Sequence, residues 1–174
     1  MQRIMLLLPL IFSAFLSNAQ SYPGVRLYAY SQSVARGTRP QRVIDENNVV
    51  ITVKENPGQN IWIYLTFPAK VPIYPSELYI DGKKHTLNAV EIHESPVVHK
   101  HYISPDVTDT TVLVPRTADK ILSVLPGGIA SFSPPTALKN LIVSNEVVVG
   151  YTVKDKKYYT TAKKLKKLPP VAMM

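Results

Sequence analysis

The chain has no cysteine among its 174 residues. This absence excludes a thiol nucleophile, an iron–sulfur centre, a zinc ribbon and any disulfide framework. Glycine is also scarce, and the spacings of the seven glycines allow no G-x-S-x-G elbow, no G-x-G-x-x-G fingerprint and no phosphate-binding P-loop. Because the common signatures of hydrolases and nucleotide-binding enzymes are missing, we expect a protein that is not an enzyme.

What the chain does contain is typical of one globular domain. It is 45% hydrophobic and 18% charged, and it has 15 prolines. The segments between its turns are rich in Val, Ile, Tyr and Thr, which favour short strands. We predict a single all-β domain over residues 20–174, an antiparallel β-sandwich of immunoglobulin-like or jelly-roll-like type with at most one or two short helical turns. A closed barrel is the alternative.

The pattern of apolar residues and turn residues places ten candidate strands. They are residues 25–33, 49–55, 61–67, 77–80, 85–93, 97–103, 111–114, 139–144, 146–153 and 157–162. The pairs Asp81-Gly82 and Lys154-Asp155 predict tight turns between strands. Short helices are predicted over residues 117–125 and 160–168, each with few turns.

Residues 1–19 have the pattern of a cleaved secretory signal peptide. Arg3 precedes an apolar run of 13 residues (4–16), and the small residue Ala19 predicts cleavage before Gln20. A membrane-spanning helix needs about 20 apolar residues, so this run is too short to serve as an anchor. We therefore expect an exported protein with no transmembrane segment in its mature part.

Several absences narrow the expected location. No cysteine stands at the predicted cleavage point, so no bacterial lipid anchor of that kind is expected. After Gln20 the chain has no N-x-[ST] glycosylation acceptor, which together with the lack of disulfides favours a bacterial export route. The single basic residue of the signal favours the periplasm or an outer-membrane-associated site in a Gram-negative-type bacterium. An envelope protein is then the expected partner, and nucleic acid is not.

The positive charge is concentrated near the C-terminus. The formal net charge is +8, and removal of residues 1–19 lowers it only to +7, because that segment contains one charged residue. The basic C-terminal segment, residues 154–170, carries seven lysines against Asp155. Lysines interleaved with tyrosines bind acidic proteins, anionic glycans or lipid headgroups. The alternative is a solvated edge strand whose lysines prevent unwanted pairing. The candidate contact residues are Lys154, Lys156, Lys157, Tyr158, Tyr159, Lys163, Lys164, Lys166 and Lys167.

All four histidines lie close together, on two neighbouring candidate strands. If residues 94–96 join these strands as an antiparallel hairpin, Glu91 and His93 share a face with His99 and His101. Imidazole and carboxylate ligands at such spacing suit zinc or copper(II). The alternatives are a proton-sensing cluster and a solvated polar face. No other cofactor is predicted.

Two candidate strands carry an aromatic face. Alternation along residues 25–33 and 61–67 separates aliphatic side chains from aromatic ones. Exposed aromatic and arginine side chains anchor protein interfaces or stack on sugar rings. The alternative is that this face is buried within the domain. The candidate interface residues are Arg26, Tyr28, Tyr30, Trp62 and Tyr64.

Together these features predict an exported, non-enzymatic binding or accessory subunit at the bacterial cell envelope. A periplasmic zinc- or copper-binding protein is the alternative. A third hypothesis, an enzyme acting on envelope glycan, depends only on Glu91 and Glu94, the carboxylates nearest the histidines.

Overall fold

A computed structural model shows the fold of this chain and describes residues 21–35, 42–44, 50–52, 58–104, 107–131 and 133–172. The predicted signal peptide, residues 1–19, lies outside the described residues and stays a prediction. Within the described part of the chain, no helix is long and apolar enough to cross a membrane.

The described residues form twelve strands and one helix. In chain order they are β1 (Arg26–Ala35), β2 (Arg42–Ile44), β3 (Val50–Thr52), β4 (Gly58–Phe67), β5 (Tyr74–Ile80), β6 (Lys83–Ile92), β7 (Val97–Ser104), β8 (Val107–Val114), β9 (Lys120–Ile129), α1 (Thr136–Ser144), β10 (Val147–Val153), β11 (Lys156–Ala162) and β12 (Lys166–Ala172). The all-β prediction is confirmed.

Eight of the strands form one curled sheet. Their order is β11-β10-β5-β6-β9-β4-β1-β12, and two small sheets pair β2 with β3 and β7 with β8. Neighbours in the large sheet are antiparallel, except that β12 runs parallel to β1. The sheet curls far enough to bring β1 into contact with β11, although five strands separate them in the order.

The main core lies inside this curl. Alternation in β4 points Ile63, Leu65 and Phe67 inward, as the period of two in the sequence predicts. From the opposite limb, β5 and β10 contribute inward side chains that pack against them. These include Leu78, Ile80, Val147, Val149, Tyr151 and Val153.

Two further layers cover the outer face of the sheet. The β7–β8 pair covers β1, β4 and β9, where Leu113 and Val114 pack on Tyr30 and Tyr64. Helix α1 covers β5 and β10, where Leu138 and Ile142 pack on Tyr79 and Val148. Both faces of β4 and β10 are therefore buried, at residues 63–67 and 147–151.

The two predicted tight turns are confirmed. Asp81 and Gly82 join β5 to β6 with φ of 47° and 77°, and Lys154 and Asp155 join β10 to β11 with φ of 46° and 62°. Positive φ at both central positions matches the twist of antiparallel strands, and Asp and Gly favour this conformation.

Three secondary-structure predictions are wrong. Residues 117–125, predicted as a helix, lie largely in β9, because Ile121 packs under β7–β8 while Leu122 faces the inner core. Residues 160–168, predicted as a second helix, divide between β11 and β12. Leu165 and Leu168 are buried on opposite faces of the sheet, whereas on a helix residues three apart would share one face.

Residues 139–144, predicted as a strand, belong to α1. Leu138 and Ile142 are four residues apart, so on a helix they share the face that covers Tyr79 and Val148. Pro135 stands immediately before the first helical residue and has an extended ψ of 142°.

Candidate functional site

Strand β11 divides the basic C-terminal segment into two groups of exposed lysines. Lys154, Lys156 and Lys157 lie at its beginning, beside the turn from β10. A second group, which we call the lysine turn, lies between its end and the first residues of β12. The seven residues of β11 separate the groups by roughly 20 Å. The lysine turn consists of Lys163, Lys164, Lys166 and Lys167.

The first group is partly neutralised by Glu77 on β5. Lys157 Nζ lies 2.9 Å from Glu77 Oε1, Lys84 Nζ lies 3.8 Å from the same oxygen, and the Tyr159 hydroxyl donates to Oε2 at 3.1 Å. Burial alone would raise the pKa of Glu77, but the hydrogen bonds and positive charges around it hold that pKa below its usual value. The same pairing outweighs burial and raises the pKa of Lys157. Lys157 is therefore engaged within the fold.

The two tyrosines of the basic segment also contribute to packing. Tyr158 faces inward, with its ring centroid 5.3 Å from that of Tyr22 in an edge-on arrangement and 6.1 Å from that of Tyr151. Tyr159 faces outward and packs beside helix α1. Neither ring forms a free stacking surface between the lysines.

The lysine turn is held by its apolar neighbours. Leu165 is buried in the inner core, and its N–H donates to Glu146 Oε2 at 2.6 Å. Leu168 is buried on the outer face. Because the chain is anchored on both sides of the sheet within four residues, the intervening lysines project from a fixed backbone. Lys166 Nζ lies 5.8 Å from the centroid of the Tyr30 ring.

Strand β12 is fixed at this point by Gln32. Pro169 and Pro170 have no N–H, and the pairing of β12 with β1 shifts register between Gln32 and Val34. Gln32, only 2% exposed, donates from Nε2 to the carbonyl of Pro169 at 2.7 Å. The Gln32 side chain thus adds a link to β12 beside two prolines that have no N–H to donate.

The inner face of the sheet becomes polar at the lysine turn. Beyond Ala29 and Ile61, the inward positions are occupied by Ser31 and Gln59, and Lys167 is paired with Ser31 across β1 and β12. A cavity of about 440 Å³ opens here. It is lined by Ser31, Ser33, Gly58, Gln59, Lys167, Leu168 and Pro170.

A neighbouring cavity of about 270 Å³ shares part of this lining. It is bounded by Ser31, Gln59, Lys164 and Lys167, together with the carboxylates of Asp81 and Glu146. The lysine turn and these two cavities form the candidate functional site, where ammonium, hydroxyl and amide groups meet at one end of the curled sheet.

The predicted aromatic interface lies largely beneath the β7–β8 pair. Tyr30 and Tyr64 are buried, Tyr28 and Trp62 are half-buried, and Arg26 is exposed at the start of β1. The Tyr30 hydroxyl donates to the carbonyl of Leu113 at 2.6 Å, which ties the sheet to its cover. Burial raises the pKa of both Tyr30 and Tyr64, more than their aromatic neighbours do. The arrangement matches the alternative interpretation, in which this face is packed inside the domain.

The predicted histidine hairpin is wrong. The later part of β6 pairs with β9, with Glu91 opposite Leu122, and β7 pairs with β8 instead of β6. Glu91 on β6 forms an ion pair of 3.1 Å with Lys120, and His93 is exposed just after β6. The four predicted metal ligands are therefore not on one shared hairpin face.

The structure does bring His99 and His101 together on β7. Their ring centroids are 6.1 Å apart and nearly parallel, and the His99 ring lies 4.8 Å from that of Trp62. His101 is only 4% exposed, and its Nε2 lies 3.3 Å from Asp109 Oδ2. Burial, followed by the neighbouring His101, lowers the pKa of His99. In the described ranges no three His, Asp or Glu side chains are placed to hold a metal ion.

Comparisons of this chain with protein-family models, with curated proteins and with solved structures find no match. The candidate site therefore depends on its own geometry. Sequence analysis found the lysines but missed Ser31, Gln32, Gln59 and Glu77. These residues carry no local signal. Glu77 pairs with Lys157, 80 positions away, and Gln32 bonds to Pro169, 137 positions away. Ser31 and Gln59 take their roles from the inner face of the curl.

Proposed function

We propose that this chain is an exported, non-enzymatic binding or accessory subunit of the bacterial cell envelope, and that it contacts an anionic partner through the lysine turn. The observation that supports the proposal is the separation of the two lysine groups. One group includes Lys157, which Glu77 neutralises, whereas the lysine turn presents four exposed ammonium groups from an anchored backbone. Such a surface attracts negative charge and is weakened by salt.

The covered aromatic face supports the same choice of surface. A partner that docked on Tyr30 and Tyr64 would first have to displace the β7–β8 pair and break the Tyr30 hydrogen bond to Leu113. The lysine turn needs no such rearrangement. The location at the envelope rests on the predicted signal peptide over residues 1–19 and on the absence of cysteine.

The test is affinity purification of the tagged mature protein from its own envelope fraction after mild cross-linking. We expect an anionic partner to be recovered at low salt and to be released at about 0.5 M salt, where charges on the surface are screened. Recovery that is equal at both salt concentrations would contradict a contact made through the lysine turn. Recovery of no envelope component at either concentration would contradict the proposal as a whole.

We also propose that the curled sheet packs as a β-sandwich, with the limb that contains β4 facing the limb that contains β5 and β10. Support comes from the main core, in which inward side chains of β4 meet those of β5 and β10. An experimental structure in which these limbs face each other at about 30°, with an interior about 10 Å thick, would agree with this description.

Zinc or copper(II) binding remains the alternative proposal. His99 and His101 are the pair that the structure places side by side, and ring nitrogens of both are buried without a well-directed hydrogen bond in the described part of the chain. Calorimetric titration with each metal, compared with the His99→Ala/His101→Ala variant, tests this. An absence of heat above the buffer control would contradict it.

A further inference from the structure

We infer that the larger cavity beside the lysine turn binds an acidic sugar unit, a polyhydroxylated ring that carries one carboxylate. This inference rests on the proposed function and names the chemistry of the anionic partner. The cavity measures about 440 Å³, within the usual range of about 300–1,000 Å³ for small-ligand sites.

The charge of the lining favours an anion. Lys167 supplies an ammonium group, and among the described residues none that lines the larger cavity is acidic. The smaller cavity shares Lys167 but contains Asp81 and Glu146, which would repel a carboxylate. The carboxylate is therefore expected in the larger cavity, on the Ser33 side of Lys167.

The uncharged groups favour a sugar over an acidic peptide. Ser31 and Ser33 carry hydroxyls and Gln59 carries an amide, and each of these groups can both donate and accept hydrogen bonds. A sugar ring presents hydroxyls with the same double capacity, whereas carboxylates of an acidic peptide only accept. Leu168 and Pro170 add an apolar wall against which the C–H face of a ring can pack.

Ser31 is the most informative residue of the cavity. It is only 5% exposed, yet it lines both cavities. Its neighbours on the inner face of the same strand, Leu27 and Ala29, belong to the apolar core. A polar side chain at this depth, opening into the cavity, is placed to meet a ligand hydroxyl.

The inference is tested by calorimetric titration of the full mature protein with three probes at low salt. Digalacturonic acid is the acidic sugar, galactobiose is its neutral counterpart, and pentaglutamate is an acidic peptide without hydroxyls. We expect digalacturonic acid to bind most tightly. Lys167→Gln should weaken it roughly tenfold, in the range of one charge-assisted hydrogen bond. Ser31→Ala should weaken it by a smaller factor, with thermal melting used to confirm that this variant folds.

Lys154→Gln is the matched control, because Lys154 is an exposed lysine in the other group. It should leave the affinity for digalacturonic acid unchanged. Equal binding of pentaglutamate and digalacturonic acid, an equal loss in both lysine variants, or no binding of digalacturonic acid would each overturn the inference. If salt-sensitive recovery of an envelope partner persists in that case, the proposed function stands and only the sugar assignment fails.

Discussion

Glu77 on β5 and Lys157 on β11 form an ion pair of 2.9 Å that reaches across the intervening strand β10. Gly150 on β10 lies between Glu77 and Tyr159, its paired residues on the two neighbouring strands. The pair distinguishes lysines that are alike in sequence, since Lys157 supports the sheet whereas the lysine turn is free of such a contact with Glu77. Stability and binding should therefore respond to different lysines.

Replacing Glu77 with Gln should lower the free energy of unfolding by about 1–2 kcal/mol, because the half-buried side chain loses its negative charge and one of its two acceptor oxygens. The exposure of Lys157 keeps the effect modest. The measurement is urea unfolding at neutral pH, with Lys156→Gln as a control that should change little. A stability unchanged by Glu77→Gln would show that the pair contributes nothing.

The same variant has a predicted pH dependence. The pKa of Glu77 is lower in the folded protein than its usual value of 4.5, so the folded state binds fewer protons there than the unfolded state. Its stabilising contribution is therefore fully present above that usual value and is lost as the pH falls from there through the lower pKa of the folded protein. The stability difference between wild type and Glu77→Gln should shrink in the acid range. A difference that stays constant or grows on acidification would contradict this.

Gly150→Ala should destabilise the fold by about 1–3 kcal/mol. A Cβ at this position would lie 2.9 Å from Tyr159 Cε1 and 3.1 Å from Glu77 Cβ, so the contact between these residues would have to open. Gly128→Ala is the control, because a Cβ there meets no atom within 4 Å. Thermal unfolding of the two variants measures the difference. Equal melting temperatures would show that Gly150 is not required for this close approach.

His99 should make the protein less stable in mild acid. Burial lowers the pKa of His99 below its usual value of 6.5, as does neighbouring His101, so the unfolded state binds a proton more readily there. The stability present above pH 6.5 should fall as the pH drops through that value. The titratable groups near His99 are His101 on β7 and Asp109 on β8, which contacts His101. Trp62 on β4 packs against the His99 ring.

Chemical unfolding of wild type and His99→Gln between pH 7.5 and 5 measures this effect. The variant should show a flatter profile than wild type. His93→Gln is the control, because His93 is exposed, and it should keep the wild-type slope. If stability falls equally steeply with pH in His99→Gln and in wild type, His99 is not the source of the acid sensitivity.

Gln32→Ala should loosen β12. The variant loses the hydrogen bond from Gln32 to the carbonyl of Pro169, at a cost of about 1–2 kcal/mol for a buried group. Trypsin should then cleave after Lys166 and Lys167 faster than in wild type. Asn60→Ala is the control, since Asn60 is paired with Gln32 in β4 but is exposed. Equal cleavage rates in both variants would contradict the assigned role.

Local patterns predicted much of the sheet. The alternation in β4 and the positive-φ residues Asp81 and Gly82 act over a few residues, so a single sequence displays them. The histidine hairpin failed because β6 pairs with β9 and β7 pairs with β8, and the apolar alternation of β6 and β7 does not reveal which strand each one pairs with. The helix α1 was missed because its apolar spacing in nine residues also fits a short buried strand.

The candidate site was only partly visible for a related reason. The lysines are close together in the sequence, so their concentration is evident from it. Their division into two groups depends on the strand between them and on Glu77, which is 80 residues from Lys157 in sequence and 2.9 Å away in the fold. Ser31 and Gln59 are ordinary polar residues until the curl of the sheet places them beside Lys167. No pattern along the chain joins these positions.

The central claim is that the lysine turn, and not the positive charge as a whole, contacts the anionic partner. Its most direct test compares two variants that remove the same charge, Lys163→Gln/Lys164→Gln and Lys154→Gln/Lys156→Gln, for retention on the envelope fraction across a salt series. We predict that retention of the first variant falls well below wild type at low salt, while the second remains close to wild type. Equal losses in both variants would show that only net charge matters and would contradict the claim.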